Sequence, residues 1–313
     1  MSPFPKASRL GFGCASLGSR ISVRDGLRAL DAAFASGVNW FDVAPSYGDG
    51  EAEVILGQFA RGKRDALHIC TKCGIAAGKP GAVARIVRPL ARSVVRLAPQ
   101  LRSLVARGRS AAVHMPITPE IVRESLDRSL TRLGVDHVDV LALHDPSPAD
   151  VEREEIHRAL EDAVISGKAR AIGVAGSVEA VGVVLQTKLP VGFLQFAAPP
   201  FEDRADEVRG MLPHEASALL STHSVFGRNP VAECVRRAGS PERLLSVLQS
   251  SGYVRPVDQA VRAALLDFAL KRNPDGIVLV SMLSGSHMAS NIARVAAHLN
   301  AKPETLVAAL RHA

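Results

Sequence analysis

Three short apolar runs in the first half of the chain are each followed by a polar side chain that could take part in proton transfer. These side chains are Asp42, Lys72 and His144, and Tyr47 lies in the turn after Asp42. A lysine ammonium beside a tyrosine favours the phenolate, so we expect it to lower the tyrosine pKa from its ordinary value of about 10. A carboxylate would keep the lysine charged, and a neutral histidine would hydrogen-bond the reacting oxygen. The four could exchange a proton with a carbonyl or alcohol oxygen.

Each of these residues also has an ordinary structural explanation. Asp42 could cap the turn after it through its carboxylate, Tyr47 could be an amphipathic turn residue, and Lys72 could be solvated. His144 could stabilise its own loop by a local hydrogen bond. The catalytic interpretation is favoured because the aspartate, the lysine and the histidine stand at three consecutive strand ends, which would meet at one mouth of a barrel.

The order of predicted elements indicates an α/β protein. Short β-branched, apolar runs alternate with longer amphipathic stretches, which is typical of a parallel sheet buried on both faces. Eight such units in 313 residues fit a (β/α)8 TIM barrel. A doubly wound open sheet is the alternative, but no third glycine completes a G-x-G-x-x-G pattern after Gly11 and Gly13. The predicted strands are 9–14, 38–42, 66–71, 137–143, 169–174, 191–196, 218–223 and 276–281. The predicted helices are 24–36, 51–60, 119–133, 149–166, 177–186, 257–272 and 288–299.

We predict one barrel domain over residues 1–313 with two long loops, 74–118 and 225–256. Each loop follows a strand, so each is expected at the C-terminal face of the barrel, where active sites of this fold lie. Long connections at this face commonly carry specificity. Neither loop contains a motif that indicates a particular substrate.

The composition restricts the class of protein. Hydrophobic residues make up 47% and charged residues 22% of the chain, which is ordinary for a soluble globular protein. No run approaches the roughly 18 apolar residues of a membrane-spanning helix, and the start of the chain lacks the apolar core of a secretion signal. We therefore expect a cytoplasmic protein with no membrane partner.

A C-x-x-C pair, Cys70 and Cys73, could be a redox pair or half of a zinc site. There is no second C-x-x-C and no nearby histidine pair to complete four ligands. The pair also ends an apolar run, where a small buried side chain fits. We favour two buried, reduced cysteines, and we predict no metal.

The net charge of +7 is concentrated in one segment, 81–110, which contains seven arginines and no acidic residue. This segment could be a solvated surface loop, a lid that attracts an anionic substrate, or a docking site for an acidic protein or membrane surface. No aromatic residues alternate with the arginines, which argues against nucleic-acid binding. We predict no nucleic-acid partner.

The motifs around the four polar residues resemble those of the aldo-keto reductases, and the resemblance runs over nearly the whole chain. The stretch "GVNWFDVAPSYGDGEAEVILG" is similar to a signature of that family in which a strand-end aspartate precedes Tyr-Gly and a helix. The stretches "ICTKCG" and "SLDRSLTRLGVDHVDVLALHDP" match the lysine and histidine motifs in the same order. The resemblance implies an NAD(P)-dependent (β/α)8 oxidoreductase, with catalytic residues Asp42, Tyr47, Lys72 and His144 and with Tyr47 as general acid/base. The chain resembles the sugar-dehydrogenase branch of the family in one further respect, which is that "TKCG" is followed by a long loop and later by "LHDP".

The same resemblance implies where a nicotinamide would lie. Gln195 matches a glutamine that the family places near the nicotinamide carboxamide, and His223 stands where the family often has an aromatic ring that stacks on the nicotinamide. The chain departs from the family at Ala175 and Gly176, where Ser-Asn is usual. Two side-chain contacts to the carboxamide would therefore be missing.

Small residues before the last predicted helix suit a phosphate group at a helix N-terminus; a Ser/Gly-rich helix cap without a ligand is the alternative. Asn291 matches an asparagine that contacts adenine in the family. The family also has an arginine that binds the 2′-phosphate of NADP, and this chain has no arginine at the matching place. The cofactor is therefore predicted to be NADP or NAD, with NADP slightly favoured by the family. The predicted cofactor residues of this region are Ser281, Ser284, Ser286, His287 and Asn291.

The sequence thus predicts hydride transfer between a nicotinamide and a small-molecule carbonyl or alcohol, such as an aldehyde, a ketone or a sugar. The alternative, suggested by the departures at Ala175, Gly176 and His223 and by the arginine segment 81–110, is a cofactor-binding regulatory or scaffold protein on a reductase fold. The substrate and the direction of the reaction are open at this point.

Overall fold

The computed structural model describes residues 4, 6–76, 113–114, 116–213, 217–254, 256–295 and 301–311. Eight parallel strands close into a barrel, in which each strand pairs with the next around the ring and the last pairs with the first. The predicted (β/α)8 barrel is therefore confirmed. The barrel strands are β1 (Leu10–Gly13), β2 (Trp40–Asp42), β3 (His68–Cys73), β6 (Val138–His144), β7 (Ala169–Ala175), β8 (Phe193–Ala197), β9 (Leu219–His223) and β10 (Ile277–Val280). A two-stranded antiparallel sheet of β4 (Ile75–Ala76) and β5 (Val113–His114) follows β3.

Helices follow the barrel strands along the chain, as the alternation of the sequence predicts. Several begin at a side chain that accepts a hydrogen bond from a backbone amide of the first turn, such as Ser22, Thr118 and Ser177, which satisfies an otherwise unpaired donor. The described helices are α1 (Val23–Ala35), α2 (Glu51–Ala60), α3 (Pro119–Leu133), α4 (Pro148–Val151), α5 (Glu154–Ile165), α6 (Val178–Gln186), α7 (Arg204–Met211), α8 (Pro230–Ala238), α9 (Pro241–Ser250), α10 (Val257–Arg272), α11 (Gly285–Val295) and α12 (Pro303–Arg311). None of these helices is long and apolar enough to cross a membrane.

The predicted helix 149–166 is wrong as a single helix, because the chain breaks it into α4 and α5. Ser147 and Asp150 form a capping box that starts α4. Arg153 is extended at the N-cap of α5, and its guanidinium donates a 2.8 Å hydrogen bond to the Ile117 carbonyl oxygen. A tertiary contact thus interrupts the helical pattern.

The two predicted long loops have different outcomes. Residues 77–112 and 115 of the loop 74–118, with the whole arginine segment 81–110, lie outside the described residues. The segment 225–256 begins after β9, and much of it forms α8 and α9. Both helices pack against α10 and α12. That a single domain covers residues 1–313 stays a prediction.

Apolar side chains fill the barrel interior below its C-terminal mouth. Trp40 stacks on Phe193 across the barrel with ring centroids 5.5 Å apart, and Phe4 packs edge-on against Trp40 at 5.3 Å. These rings belong to a buried cluster separate from the core between strands and helices. Asp42 follows Trp40 by two residues on β2, and Gln195 follows Phe193 by two residues on β8, so both polar side chains lie nearer the C-terminal mouth than these rings.

Asp139, on β6, is a fully buried carboxylate that joins neighbouring strands away from the mouth. It accepts a 2.9 Å hydrogen bond from the Ile69 amide, and it forms ion pairs with Arg64 at 2.8 Å and with Arg170 at 3.1 Å. Burial alone would raise the pKa of Asp139, but His68, Arg64 and the Ile69 amide hold it below its ordinary value. The ionised carboxylate therefore stabilises the fold above its unfolded-state pKa, and this contribution is lost as the pH falls through the folded-state pKa.

Asp139→Asn should lower the free energy of unfolding at neutral pH by about 3 kcal/mol, because it removes one partner of a buried ionic cluster. The loss relative to the parent should shrink on acidification, as the parent carboxylate becomes protonated. Denaturant unfolding at several pH values measures both effects. Asp31→Asn is the matched control, since its ion pair with Lys63 is exposed and should contribute little. An equal loss in both variants would contradict the prediction.

Candidate active site

Tyr47 is carried by a tight turn between β2 and α2. The Tyr47 amide donates to the Ala44 carbonyl at 3.0 Å, and residues Tyr47–Gly50 form a single 3-10 turn. Gly48 has φ of 57°, and a Cβ there would collide with the Leu17 carbonyl oxygen. Only glycine fits this position without strain. The turn is thus seated against the loop after β1 and brings Tyr47 to the barrel mouth.

Lys72 points into the barrel and is 1% exposed. Its Nζ donates to both carboxylate oxygens of Asp42, at 2.7 and 2.8 Å, and to the Val43 carbonyl oxygen at 3.1 Å. The Tyr47 hydroxyl lies 3.5 Å from the same Nζ. A buried ammonium needs such partners to remain charged. The Lys72 ammonium therefore contacts both the Asp42 carboxylate and the Tyr47 hydroxyl.

The pKa of the lysine follows from this pairing. Burial alone would lower the pKa of Lys72, but the nearby Asp42 carboxylate and Tyr47 outweigh burial and raise the pKa above its ordinary value. Lys72 is therefore a cation at neutral pH.

The expected lowering of the tyrosine pKa is wrong for this structure. Burial raises the pKa of Tyr47, and Asp42 adds to the rise, whereas Lys72 lowers it by less. The net direction is upward because desolvation of a phenolate costs more than one ammonium at 3.5 Å returns. Tyr47 is therefore held as a neutral phenol at neutral pH, the form that can donate a proton.

His144 completes the set from the end of β6. Its ring meets the Tyr47 ring edge-on, with centroids 5.9 Å apart and planes at 86°. The next residue, Asp145, has φ of 51°, a left-handed conformation that few non-glycine residues adopt. The backbone thus bends sharply just after the histidine. All four predicted catalytic residues lie together, and their roles stay predictions.

Gln195 and an unpredicted serine, Ser221, occupy neighbouring positions on β8 and β9. Strand pairing aligns His144 with Ala175, Ala175 with Gln195, and Gln195 with Ser221. The Gln195 side-chain oxygen and the Ser221 hydroxyl are buried and have no hydrogen-bond partner within the described residues. Unsatisfied buried polar atoms are uncommon, so these two suit a polar ligand group or a water at the mouth. The signal for Ser221 was its place two residues before His223, on the same face of the strand.

His223 ends β9 on the same side of the barrel. Its Nδ1 lies 2.9 Å from the Ser224 hydroxyl, and Ser224 has φ of 69°. Burial lowers the pKa of His223; Asp42 opposes this shift and Lys72 adds to it. The imidazole is therefore neutral at neutral pH and faces the same charges as Tyr47.

The remaining predicted cofactor residues lie at β10 and α11. Ser281 directly follows β10, which is separated from β2 and Asp42 by β1 alone in the ring. Ser284 and Ser286 are exposed at the start of α11, with their hydroxyls 3.0 Å apart. Exposed hydroxyls and backbone amides at a helix start suit an anion. His287 is exposed there, and Asn291 is buried one turn further along.

Comparison with known proteins identifies the family. The sequence profile of the Aldo/keto reductase family matches residues 9–310. The chain belongs to the aldo-keto reductase family. It is 35% identical to a 6-dehydroglucose reductase of Agrobacterium fabrum over 149 residues, which cover 47% of this chain and 41% of the relative. It is 25% identical to an L-galactose dehydrogenase of Arabidopsis thaliana over 93% of this chain and 85% of the relative. The chain thus spans less than half of the first relative.

The fold of this aldo-keto reductase also matches solved structures of the family. One is an aldo/keto reductase of Klebsiella pneumoniae in complex with NADP and acetate, with a TM-score of 0.63, 18% identity, and coverage of 94% of this chain and 88% of the other. At 18% sequence identity, this similarity is evidence for a shared fold alone.

Two positions of this aldo-keto reductase lack the side chains that the resemblance implies. Ala175 faces the barrel interior between His144 and Gln195. Gly176 has little spare room, because a Cβ there would lie 3.2 Å from the Pro146 ring. Neither residue brings a side-chain polar group to the mouth, so Gln195 is the nearest side-chain amide on the adjacent strand.

The C-x-x-C cysteines point to opposite sides of β3. Cys70 belongs to the barrel-interior cluster, whereas Cys73 belongs to the outer core. Burial raises the pKa of both thiols, that of Cys73 to about 12. Buried protonated thiols are unreactive. Within the described residues, no group of three or more His, Cys, Asp or Glu side chains could hold a metal ion.

Lys72→Met and Asp42→Asn should each lower the free energy of unfolding by about 3 to 5 kcal/mol, because each leaves one buried polar partner uncompensated. The double variant should lose less than the sum of the two, by at least about 1 kcal/mol. Denaturant unfolding of the four proteins measures this coupling. Lys63→Met, which breaks the exposed pair with Asp31, is the control and should change stability little. Strictly additive losses would show that the pair is not coupled.

Proposed function

We propose that this protein is an NAD(P)-dependent oxidoreductase that transfers hydride between a nicotinamide and a carbonyl or alcohol carbon of a small molecule. The observation that carries the proposal is the buried ammonium of Lys72, held by Asp42 and 3.5 Å from the Tyr47 hydroxyl. A tyrosine beside a buried cation at a barrel mouth is suited to proton exchange with an oxygen atom. Membership of the aldo-keto reductase family supports this chemistry.

In the reducing direction Tyr47 acts as the general acid. The raised pKa keeps its phenol protonated, and the proton passes to the carbonyl oxygen as the carbon receives hydride. Lys72 stabilises the phenolate that remains, and Asp42 keeps the ammonium in place. His144, edge-on to the tyrosine ring, orients the same oxygen. In the oxidising direction the phenolate takes the alcohol proton.

The bound nicotinamide would supply or accept the hydride, and residues of the chain would hold it. Gln195, with its unpaired buried oxygen, suits a carboxamide that donates N–H groups, and His223 offers a neutral ring face beside it. Ser281, Ser284, Ser286, His287 and Asn291 would hold the nucleotide end. Both NADP and NAD fit this set, and the Klebsiella pneumoniae relative of the same fold is known with NADP.

The substrate class that fits best is a polyol or sugar with an aldehyde, ketone or secondary alcohol group. The support comes from the relatives, which are a 6-dehydroglucose reductase and an L-galactose dehydrogenase. A second candidate function is a cofactor-binding regulatory protein with weak turnover. It is favoured by the missing side chains at Ala175 and Gly176, and turnover with a sugar panel distinguishes the two.

Tyr47→Phe should lower kcat for carbonyl reduction by at least about 100-fold, because it removes the proton donor. Binding of the reduced cofactor, followed by its fluorescence, should be retained. The matched control is Tyr253→Phe, which changes the only other tyrosine of the chain. Tyr253 donates a hydrogen bond to the buried Asp267, so its loss should reduce stability and leave turnover per folded molecule intact. Full turnover in the Tyr47 variant would exclude this mechanism.

His287→Arg should tighten NADPH binding by about tenfold and leave NADH binding unchanged, because a guanidinium makes a charge-assisted bond to the 2′-phosphate. Titration of each cofactor by fluorescence measures the ratio. Ala289→Arg adds the same charge at an exposed position of the same helix and is the control for a general charge effect. An equal gain in both variants would show that residue 287 does not face the 2′ position.

A further inference from the structure

Glu53 is a fully buried carboxylate next to the proposed site that the mechanism above does not use. It lies on α2 among apolar residues, and its two oxygens have separate partners. Oε1 accepts a 2.8 Å hydrogen bond from the Thr71 hydroxyl, and Oε2 accepts one of 2.7 Å from the Arg132 guanidinium. The carboxylate thus connects three elements: α2, β3 and α3.

Two of the elements that Glu53 connects lie close to the proton-transfer residues in the chain, since α2 follows Tyr47 and β3 contains Lys72. Helix α2 begins at Glu51, directly after the turn that holds Tyr47. Thr71 immediately precedes Lys72 on β3, and successive strand side chains point to opposite faces. The Thr71 hydroxyl therefore faces the helices while Lys72 faces the barrel interior. One hydrogen bond between Glu53 and Thr71 ties the segment of the tyrosine to the strand of the lysine.

Arg132 holds the same helix from the other side. It is 30% exposed, and its side chain lies near Gly50, the last residue of the Tyr47 turn. Helices α2 and α3 also approach closely at Gly57, where a Cβ would collide with the Leu133 backbone carbonyl. Helix α2 is thus held against α3 by Gly57 and Arg132 and against β3 by the Glu53 to Thr71 hydrogen bond.

Stability is a weak reason for this arrangement. Burying a carboxylate costs several kcal/mol, and a buried ion pair often stabilises a fold no more than apolar side chains of similar volume. A buried carboxylate whose hydrogen bonds are all satisfied can instead hold the elements that it connects in one arrangement. We propose that Glu53 is a positioning residue whose bond to Thr71 fixes the separation between the Tyr47 hydroxyl and the Lys72 ammonium; the catalytic consequence of this rests on the function proposed above.

Tyrosine ionisation in the free protein tests this directly. Within the described residues, the charged and titratable groups that face Tyr47 are Asp42 from β2, Lys72 and Cys70 from β3, and His144 from β6. Since the chain has two tyrosines, Tyr47 alone can be titrated by tyrosinate absorbance in a Tyr253→Phe background. Circular dichroism at each pH follows folding. Replacing tyrosine by a more acidic fluorotyrosine moves the transition into the pH range where the fold is intact.

Thr71→Val, which is isosteric and keeps the Glu53 pair with Arg132, should raise the Tyr47 pKa by about half a unit or more. The reason is that a wider separation weakens the lowering effect of Lys72. Asp139→Asn is the matched control, because it disrupts an equally buried carboxylate that accepts from the Ile69 amide, near the start of β3 and away from the mouth. It should leave the Tyr47 pKa unchanged.

An unchanged Tyr47 pKa in Thr71→Val, a fall, or an equal rise in the Asp139 variant would each overturn the proposal. The titration needs neither cofactor nor turnover. Its failure is therefore separate from failure of the proposed function, which full turnover in Tyr47→Phe would show.

Discussion

The buried ion pair between Lys72 and Asp42 is the interaction on which the rest of the site depends. An ammonium inside an apolar barrel is tolerated only when its donors are satisfied, and here two carboxylate oxygens and the Val43 carbonyl satisfy them. Below the pair, Trp40 and Phe193 fill the barrel. The charged side chains of the site therefore lie at the mouth, beside the Tyr47 hydroxyl. The turn at Gly48 positions that hydroxyl next to them.

The sequence predicted the parts of the fold that depend on short-range pattern. Strands such as β6 and β7 are mostly apolar runs that alternate with helices, interrupted only by Asp139 and Arg170 before their last residues. The ends of such strands can carry polar residues because parallel strands expose their carboxyl ends at one face. The predicted strand ends therefore brought Asp42, Lys72 and His144 to the same mouth. Helices α8 and α9 were missed although Asn229-Pro230 and Ser240-Pro241 are ordinary helix starts, because the segment was interpreted as a loop.

What the sequence did not predict depends on three-dimensional surroundings. The break at Arg153 follows from a bond to Ile117, which lies far along the chain. The rise in the Tyr47 pKa follows from burial, which outweighs a lysine that the sequence had already identified. Ser221 and Glu53 likewise acquire meaning only from strand register and helix packing, since a serine in a strand or a glutamate in a helix is unremarkable in one dimension.

In the proposed mechanism Tyr47, whose pKa depends on Lys72 and Asp42, exchanges a proton with the oxygen of the reacting carbon. The most direct measurement is a crystal structure of the complete protein with NAD(P)H and an unreactive carbonyl ligand. We expect the ligand oxygen to lie within hydrogen-bond distance, about 2.6 to 3.2 Å, of both the Tyr47 hydroxyl and a His144 ring nitrogen. A ligand oxygen bound elsewhere in the mouth, with Tyr47 and His144 both out of reach, would contradict it.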